Sequence, residues 1–260
     1  MSEGRILFEK QGNVAHVRFD NPAAYNALTH RMWVDLRDTC RAIAGDRDIR
    51  VVTFRGMGGK AFISGTDIGD FVDFATGEQG VAYERGIDDY MAAVDAIPVT
   101  TIAVVEGFAV GGGINISSAC DFRIATPGAK FGSPIGRTIG NCLSASSLAR
   151  ISSAVGLQIA RRMVLLGELI EASEMLGSGF LHQIAAPEAL DATVEALCTR
   201  AAENAPLTTR VTKETIRRLQ HAGLPDIEPL IAEVYGSEDF RRGVRDFLAK
   251  TRKLPDWEGR

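Results

Sequence analysis

Two glycine-rich stretches carry the residues whose types and spacing could support chemistry. "VEGFAVGGGINISSACD", residues 105–121, runs from an apolar strand pattern through three consecutive glycines into a helical pattern, and Asn115 is its first polar residue after the glycines. The second is "GMGGKAFISGTDIGDF", residues 56–71. Neither fits a nucleotide site. The first is not G-x-G-x-x-G and no acidic residue follows at the distance of a ribose contact. In the second, Lys60 is followed by Ala61 and the glycine spacing is wrong for a phosphate loop. Two readings of the triple glycine remain open at this point. Unpaired N–H groups at a helix start, helped by the macrodipole, suit an anion or a carbonyl oxygen that becomes one. Alternatively, Gly111, Gly112 and Gly113 only let a helix cross a strand closely.

Other chemistries find little support. Cys40, Cys120, Cys142 and Cys198 are far apart and form no C-x-x-C pair, so neither a zinc site nor a disulfide framework is suggested, and a reducing compartment fits. His16, His30, His182 and His221 make no recognisable catalytic pair. Over 260 residues the net charge is -4 with the signs intermixed, which leaves no footprint for nucleic acid or an anionic membrane. With no basic-then-apolar leader and no long apolar span, the sequence reads as a soluble cytoplasmic protein. Small-molecule chemistry is the class left.

The elements that must position these stretches can be read from periodicity. "RILFEKQGNVAHVRFD" alternates on both sides of a Gly-Asn turn, the pattern of a hairpin. Met32, Leu36, Cys40 and Ile43 recur at helical spacing after Thr29, a cap, and Gly45 ends the run. The strand "IRVVTFRG", a helix around "AYERGIDDYMAAVDAI" and the strand "TTIAVVEG" continue the alternation, which predicts an α/β fold with mainly parallel pairing. Two short strands joined by a Pro-Gly turn follow in "ACDFRIATPGAKFG". Helical spacing then holds around residues 157 to 177 and nearly throughout beyond 187, with breaks at Pro206, "GLPD" and Gly236.

Several spaced segments together resemble the crotonase superfamily, the enoyl-CoA hydratase/isomerase family. "FDNPAAYNALTHRMWVDL" looks like its L-N-R-P-x-x-x-N-A-L segment. "DIRVVTFRGMGGKAFISGTDIGDF" and "AVVEGFAVGGGINISSACDFRIATPGAKFGSP" are similar to its two glycine signatures, and "DFRRGVRDFLAKTRKLPDW" to its terminal motif. The resemblance implies a spiral of ββα units with a helical C-terminal region, divided as a core over 1–195 and a helical, oligomerising part over 196–260. It implies assembly as a homotrimer or dimer of trimers. The substrate would be an acyl-CoA, with coenzyme A present only as part of the thioester, no tightly bound cofactor and no metal. The N–H groups of Thr66 and Gly112 would form an oxyanion hole for the thioester oxygen. Thr66 stands where the family often has Ala. Lys60, Ala61, Phe62, Ser64, Asp67 and Ile68 would line the CoA moiety, although an Asp at 67 also suits a helix cap. Lys250, Arg252 and Lys253 would meet CoA phosphates, or simply match a helix C-terminus.

At two positions the chain departs from that pattern. Hydratases of the family hold a water between two glutamates; the corresponding residues here are Asn115 and Ile135, or Gly136 if the register slips by one. An amide does not take and return a proton at neutral pH, and isoleucine has no proton chemistry. Ordinary two-glutamate hydration is therefore not expected. Asp70, Asp73, Glu84, Arg137, Asn141, Cys142 and Ser144 lie on segments that the resemblance places near the acyl pocket. Asn115 and Arg137 join Thr66 and Gly112 as candidate catalytic groups, since a guanidinium could hold a substrate carboxylate. The expectation is a lyase or isomerase that stabilises a thioester enolate, with decarboxylation, thioester hydrolysis and non-catalytic acyl-CoA binding as the alternatives.

Overall fold

The computed structural model of the protein describes residues 4–251 and 254–259, apart from the side chain of Asp70. The chain opens with the expected hairpin, β1 (Arg5–Gln11) and β2 (Val14–Asp20), turning at Gly12 with φ +59°. Helix α1 (His30–Gly45) follows. Its cap Thr29 accepts the Met32 N–H, and Met32, Trp33, Leu36, Cys40 and Ile43 form its buried stripe.

Three successive units then each lay down two strands. These are β3 (Val51–Gly56) and β4 (Ala61–Ile63) before α2 (Gly77–Asp95), β5 (Thr100–Val105) and β6 (Phe108–Val110) before α3 (Gly112–Ala119), and β7 (Phe122–Ala125) and β8 (Lys130–Gly132) before the single turn α4 (Ile135–Thr138). The first strand of each unit joins one sheet and the second joins another. Among the described residues the larger sheet runs β1-β2-β3-β5-β7 and ends on β10 (below). The smaller runs β4-β6-β8 and ends on β9. All pairings between units are parallel. The Pro127–Gly128 turn therefore links strands of different sheets, not the two arms of a hairpin. Strand β5, "TTIAVV", is buried at every residue, as a central strand covered on both faces must be.

Beyond this core come α5 (Ala145–Val155), α6 (Leu157–Leu165), β9 (Ile170–Glu171), α7 (Ala172–Gly177) and β10 (Gln183–Ile184). The chain ends in α8 (Leu190–Ala202), α9 (Pro206–His221), α10 (Glu228–Tyr235) and α11 (Glu238–Leu248). The breaks fall where the sequence places them, at Pro206, at 223–226 and at Gly236. The architecture is thus α/β with parallel sheets and a helical C-terminal region. The expected boundary at 195/196 falls inside α8, whose Leu190, Cys198 and Ala201 pack on Val51, Ile102, Val104 and Ile124 of the large sheet.

The contact that matters most for the site is between α10 and α2. A Cβ on Gly77 would lie 2.0 Å from the Ala232 carbonyl oxygen, and one on Gly80 would lie 2.1 Å from the Tyr235 ring. Gly77, Gly80 and Glu84 share one face of α2 at helical spacing, so the close crossing sets Tyr235 against Glu84. Phe71, Phe74, Tyr83, Tyr235 and Phe240 fill the junction as an aromatic cluster. Among the described residues no helix is long and apolar enough to cross a membrane.

Candidate active site

Strand β4 ends at Ile63, and three residues later Thr66 bridges in parallel to Leu28. Leu28 donates to the Gly65 carbonyl and accepts from Asp67, which leaves the Thr66 N–H facing away from that ladder. Gly111, at φ +55°, turns the chain from β6 into α3, so Gly112 presents one of the unpaired N–H groups of a helix start. Among the described residues neither amide has an acceptor within the protein. A Cβ on Gly112 would lie 3.5 Å from Thr66 Oγ1, so the two residues are direct neighbours. Gly113 meets a different need. Its Cβ would come within 2.4 Å of the Ile63 carbonyl oxygen, so this glycine does let α3 cross β4 closely. The close-crossing reading of the triple glycine thus falls on Gly113, while the helix-start amide belongs to its neighbour Gly112.

The two amides border a cavity of about 140 Å³. Trp33, Ile68, Phe71, Ile87, Ile135, Ile139, Leu143 and Phe247 supply its apolar wall, and Thr66, Tyr83, Glu84, Asn115, Asn141 and Ser147 its polar groups. A larger space of about 600 Å³ lies between α9 and the end of the large sheet, away from both amides. Its Lys213 is already paired with Asp121 at 2.5 Å.

Glu84 is the one carboxylate among the described residues of the cavity wall. It is 4% exposed, accepts the Tyr235 hydroxyl at 2.7 Å on one oxygen, and accepts the Ser144 N–H at 3.0 Å on the other. Burial pushes its carboxyl up to about 7, against the pull of those two hydrogen bonds. Near neutral pH such a group takes and gives protons readily. Tyr235 in turn accepts from Asn141 Nδ2 at 3.3 Å, and the buried Asn141 Oδ1 has no partner among the described residues.

Asn115 lies one turn into α3 and is buried. Its Nδ2 donates to Ser147 Oγ at 3.0 Å and its Oδ1 accepts from Arg150 at 3.0 Å. Arg150, 1% exposed in its side chain, grips Asp95 at 2.6 Å, and the His221 ring stands 3.4 Å from the same carboxylate. Burial alone would push Asp95 up, but His221 and Arg150 outweigh it and hold it below the usual carboxylate range. Asn115 therefore closes a charged network that reaches back to α9.

The remaining expected residues divide. Ser64 and Ile68 border the cavity, Ser64 donating to the Ala24 carbonyl. Ile135 also faces the cavity, so an apolar side chain stands where an acid was missed. Lys60 is exposed in the turn before β4. The side chains of Ala61 and Phe62 face away from the cavity. Both are buried in β4, Phe62 edge-on to Phe19, and the Ala61 carbonyl is taken by Asn26 Nδ2. Asp67 is an exposed turn cap whose carboxylate accepts the Gly69 N–H at 3.0 Å. Arg137 is exposed on α4, lies over Gly167 and reaches the Leu166 carbonyl, outside the cavity wall. Asp73 is exposed. The Cys142 thiol is pushed up to about 12 by burial and the Glu84 charge, so it is no nucleophile at neutral pH. Ser144 caps α5. Lys250 is exposed after α11, and Arg252, Lys253 and the Asp70 side chain lie outside the described residues.

Sequence reasoning missed Trp33, Tyr83, Asp95, Ser147, Arg150 and Tyr235. Trp33 Nε1–H donates to Thr66 Oγ1 at 3.3 Å, which fixes the threonine side chain beside the amide. The only advance signal for the Glu84–Tyr235 pair is the G-x-x-G-x-x-x-E spacing on α2.

Residues 9–260 match the family model described as enoyl-CoA hydratase/isomerase. The chain belongs to that family. Its relatives include the short-chain-enoyl-CoA hydratase of Clostridium acetobutylicum, 28% identical over 265 residues with all of both chains covered. Among solved structures, an enoyl-CoA hydratase/carnithine racemase from Magnetospirillum magneticum is 32% identical, with a TM-score of 0.79 over 100% of this chain and 97% of that one. A methylmalonyl-CoA decarboxylase shares the fold, with a TM-score of 0.89 at 23% identity over 98% of this chain and 99% of the other. This family member is thus an acyl-CoA enzyme by lineage, carrying the crotonase fold.

Proposed function

We propose that this protein forms and stabilises the enolate of a short acyl-CoA thioester, with the Thr66 and Gly112 amides holding the thioester oxygen and Glu84 moving the proton. The observation that carries this reading is the convergence of two unpaired amides and one buried, near-neutral carboxylate on a single small apolar cavity. Preorganised donors of this kind lower a barrier by about 3 kcal/mol each. A cavity of about 140 Å³ is small beside the roughly 300–1,000 Å³ of ordinary ligand pockets, which favours a short acyl chain with the rest of the CoA outside. Isomerisation needs only one shuttling base and is the reaction best matched to these groups. Asn115 acts as a fixed polar wall, not as an acid. Decarboxylation through Arg137 is disfavoured because that side chain lies elsewhere.

The same proposal includes assembly as a homotrimer or dimer of trimers in the cytoplasm. Leu207, Val211 and Leu219 stand 56–74% exposed on one side of α9, an apolar face suited to burial between copies. Light scattering tests it. The chemistry is tested in heavy water with a saturated short acyl-CoA. Deuterium should enter at the carbon next to the thioester, and crotonyl-CoA hydration should be weak by comparison. Robust hydration without exchange would overturn the reading.

A further inference from the structure

Glu84 borders two cavities. On one side it faces the acyl cavity with Tyr235 and Asn141. On the other it forms part of the wall of a separate space of about 420 Å³ bounded by Val81, Asp88, Ser144, Ser146, Asp226 and Ile231. The division follows the two carboxylate oxygens. Oε1 accepts from Tyr235, whose own oxygen accepts from Asn141 on the acyl side, while Oε2 accepts from the Ser144 N–H on the outer side. Ser144 Oγ donates to Asp88 Oδ1 at 2.7 Å, which places a second carboxylate, one helical turn further along α2, in the outer space. That space mixes apolar and polar lining, and it has room for water to bridge Glu84 and Asp88.

We propose that Glu84 is a two-sided proton carrier, exchanging a proton with the acyl group across the inner cavity and with solvent across the outer one, through Asp88. The proposal rests on the enolate reading above. In the forward step the Glu84 carboxylate takes the proton next to the thioester carbon. The C–H bond breaks, its electron pair enters the enolate, and an O–H bond forms on Glu84. Glu84 then either returns that proton to another carbon of the substrate or passes it to water in the outer cavity and takes a solvent proton back, while the acyl group still fills the inner one.

The charged and titratable surroundings favour this traffic. The half-buried phenol of Tyr83 on α2 and the buried phenol of Tyr235 on α10 are held well above their ordinary range by desolvation, so neither competes for the proton. Cys142 is equally inert. Desolvation also raises Asp88, against the hydrogen bond from Ser144 and the charges of Arg150 and His221, which brings it closer to Glu84 in proton affinity. Of the outer groups, Glu228 is already paired with Arg85.

The test uses the full-length protein and a 3-enoyl-CoA deuterated next to the thioester. In the wild type most of the label should be lost to solvent during isomerisation. Asp88→Asn, which keeps the Ser144 contact, and Asp88→Leu, which replaces the carboxylate with an apolar group, should raise label retention in the product about fivefold or more, while Glu84→Gln should lower turnover about 100-fold or more. Unchanged retention in both Asp88 variants, beside an inactive Glu84→Gln, would overturn the two-sided route and leave the enolate reading standing. A second arm needs no turnover. The infrared stretch of protonated Glu84, identified by its loss in Glu84→Gln, is followed on mixing into heavy water with and without a saturating short-chain CoA thioether. Its shift should slow by no more than about twofold when the acyl cavity is filled, and a slowing of about tenfold would refute the outer route. Failure of the thioether to bind would instead overturn the acyl-CoA reading, and the proposal with it.

Discussion

Glu84→Gln should make the protein more stable at alkaline pH while removing its activity. The carboxyl sits at about 7 in the folded chain against an ordinary value of 4.5, and burial is the first cause of the difference. At 4% exposure little solvent screens the group, so the shift converts at 1.36 kcal/mol per unit to about 3 kcal/mol. The sign follows from proton counts. Between about pH 4.5 and about pH 7 the unfolded chain has lost the Glu84 proton while the folded chain still holds it. Stability therefore falls as pH rises through that window and is flat, as far as this group goes, on either side. The contribution is fully present below the unfolded value and lost above the folded one.

Glutamine copies the neutral acid. Its carbonyl accepts the Ser144 N–H, its amide donates to the Tyr235 oxygen, and the freed Tyr235 hydroxyl can turn to the unpaired Asn141 oxygen. At about pH 5 variant and wild type should match within about 1 kcal/mol. At about pH 8.5 the variant should be ahead by about 3 kcal/mol. Urea unfolding of both proteins at both pH values isolates the effect, because the other titrating groups cancel in the double difference. Equal pH dependence of the two, to within about 0.5 kcal/mol, would refute a raised Glu84.

The other predictions rest on separate contacts. Thr66→Ala should keep activity within about threefold, because the proposed donor is the backbone N–H, and cost about 1 kcal/mol from the lost Trp33 hydrogen bond; a loss of activity of about 100-fold would show that the hydroxyl itself takes part. Gly113→Ala should lower the melting temperature by several degrees, since its methyl must displace the Ile63 carbonyl at a cost of about 1–3 kcal/mol; an unchanged melting curve would refute the close crossing. Asn115→Glu should destabilise the protein, more at about pH 8 than at about pH 5, by adding a carboxylate to the buried network. Adding Asp95→Asn to that variant should restore part of the loss, and denaturation of the single and double variants reads the coupling.

Elements whose signal is local were legible in the sequence. The hairpin around Gly12, the stripe from Met32 to Ile43 and the breaks at Pro206 and Gly236 each follow from residues within a few positions of one another. The same holds for the half of the site formed by main chain, because the turn at Gly111 and the strand end before Thr66 fix where an amide points. Side-chain roles were harder to read. Ala61 and Phe62 fall in a loop signature, yet strand alternation and the Asn26 clamp turn them into the core. Arg137 follows Pro134 as expected but lands on the solvent side of a one-turn helix. Glu84 stood among seven polar candidates with nothing to single it out, because its partner Tyr235 lies 151 residues away. Only the packing of α10 on two glycines brings them together.

That packing bears on why an amide follows the glycines. Behind position 115 stand one buried guanidinium and one buried carboxylate, Arg150 and Asp95, already matched in charge. A neutral group that accepts from Arg150 and donates to Ser147 satisfies both neighbours without disturbing the match. A glutamate there would leave two carboxylates facing one guanidinium in a region water hardly reaches, and either its proton would be retained or the network would open. Among the described residues the cavity has instead a single acid, and that acid sits on α2, where Tyr235 and the Ser144 amide supply its hydrogen bonds and no buried cation pins it in the charged form. An ion-paired carboxylate is a poor proton carrier because its affinity for the proton is too low. An acid on α2 in place of one on α3 leaves the Arg150–Asp95 pair undisturbed and titrates near neutrality, which is the property a one-base shuttle requires.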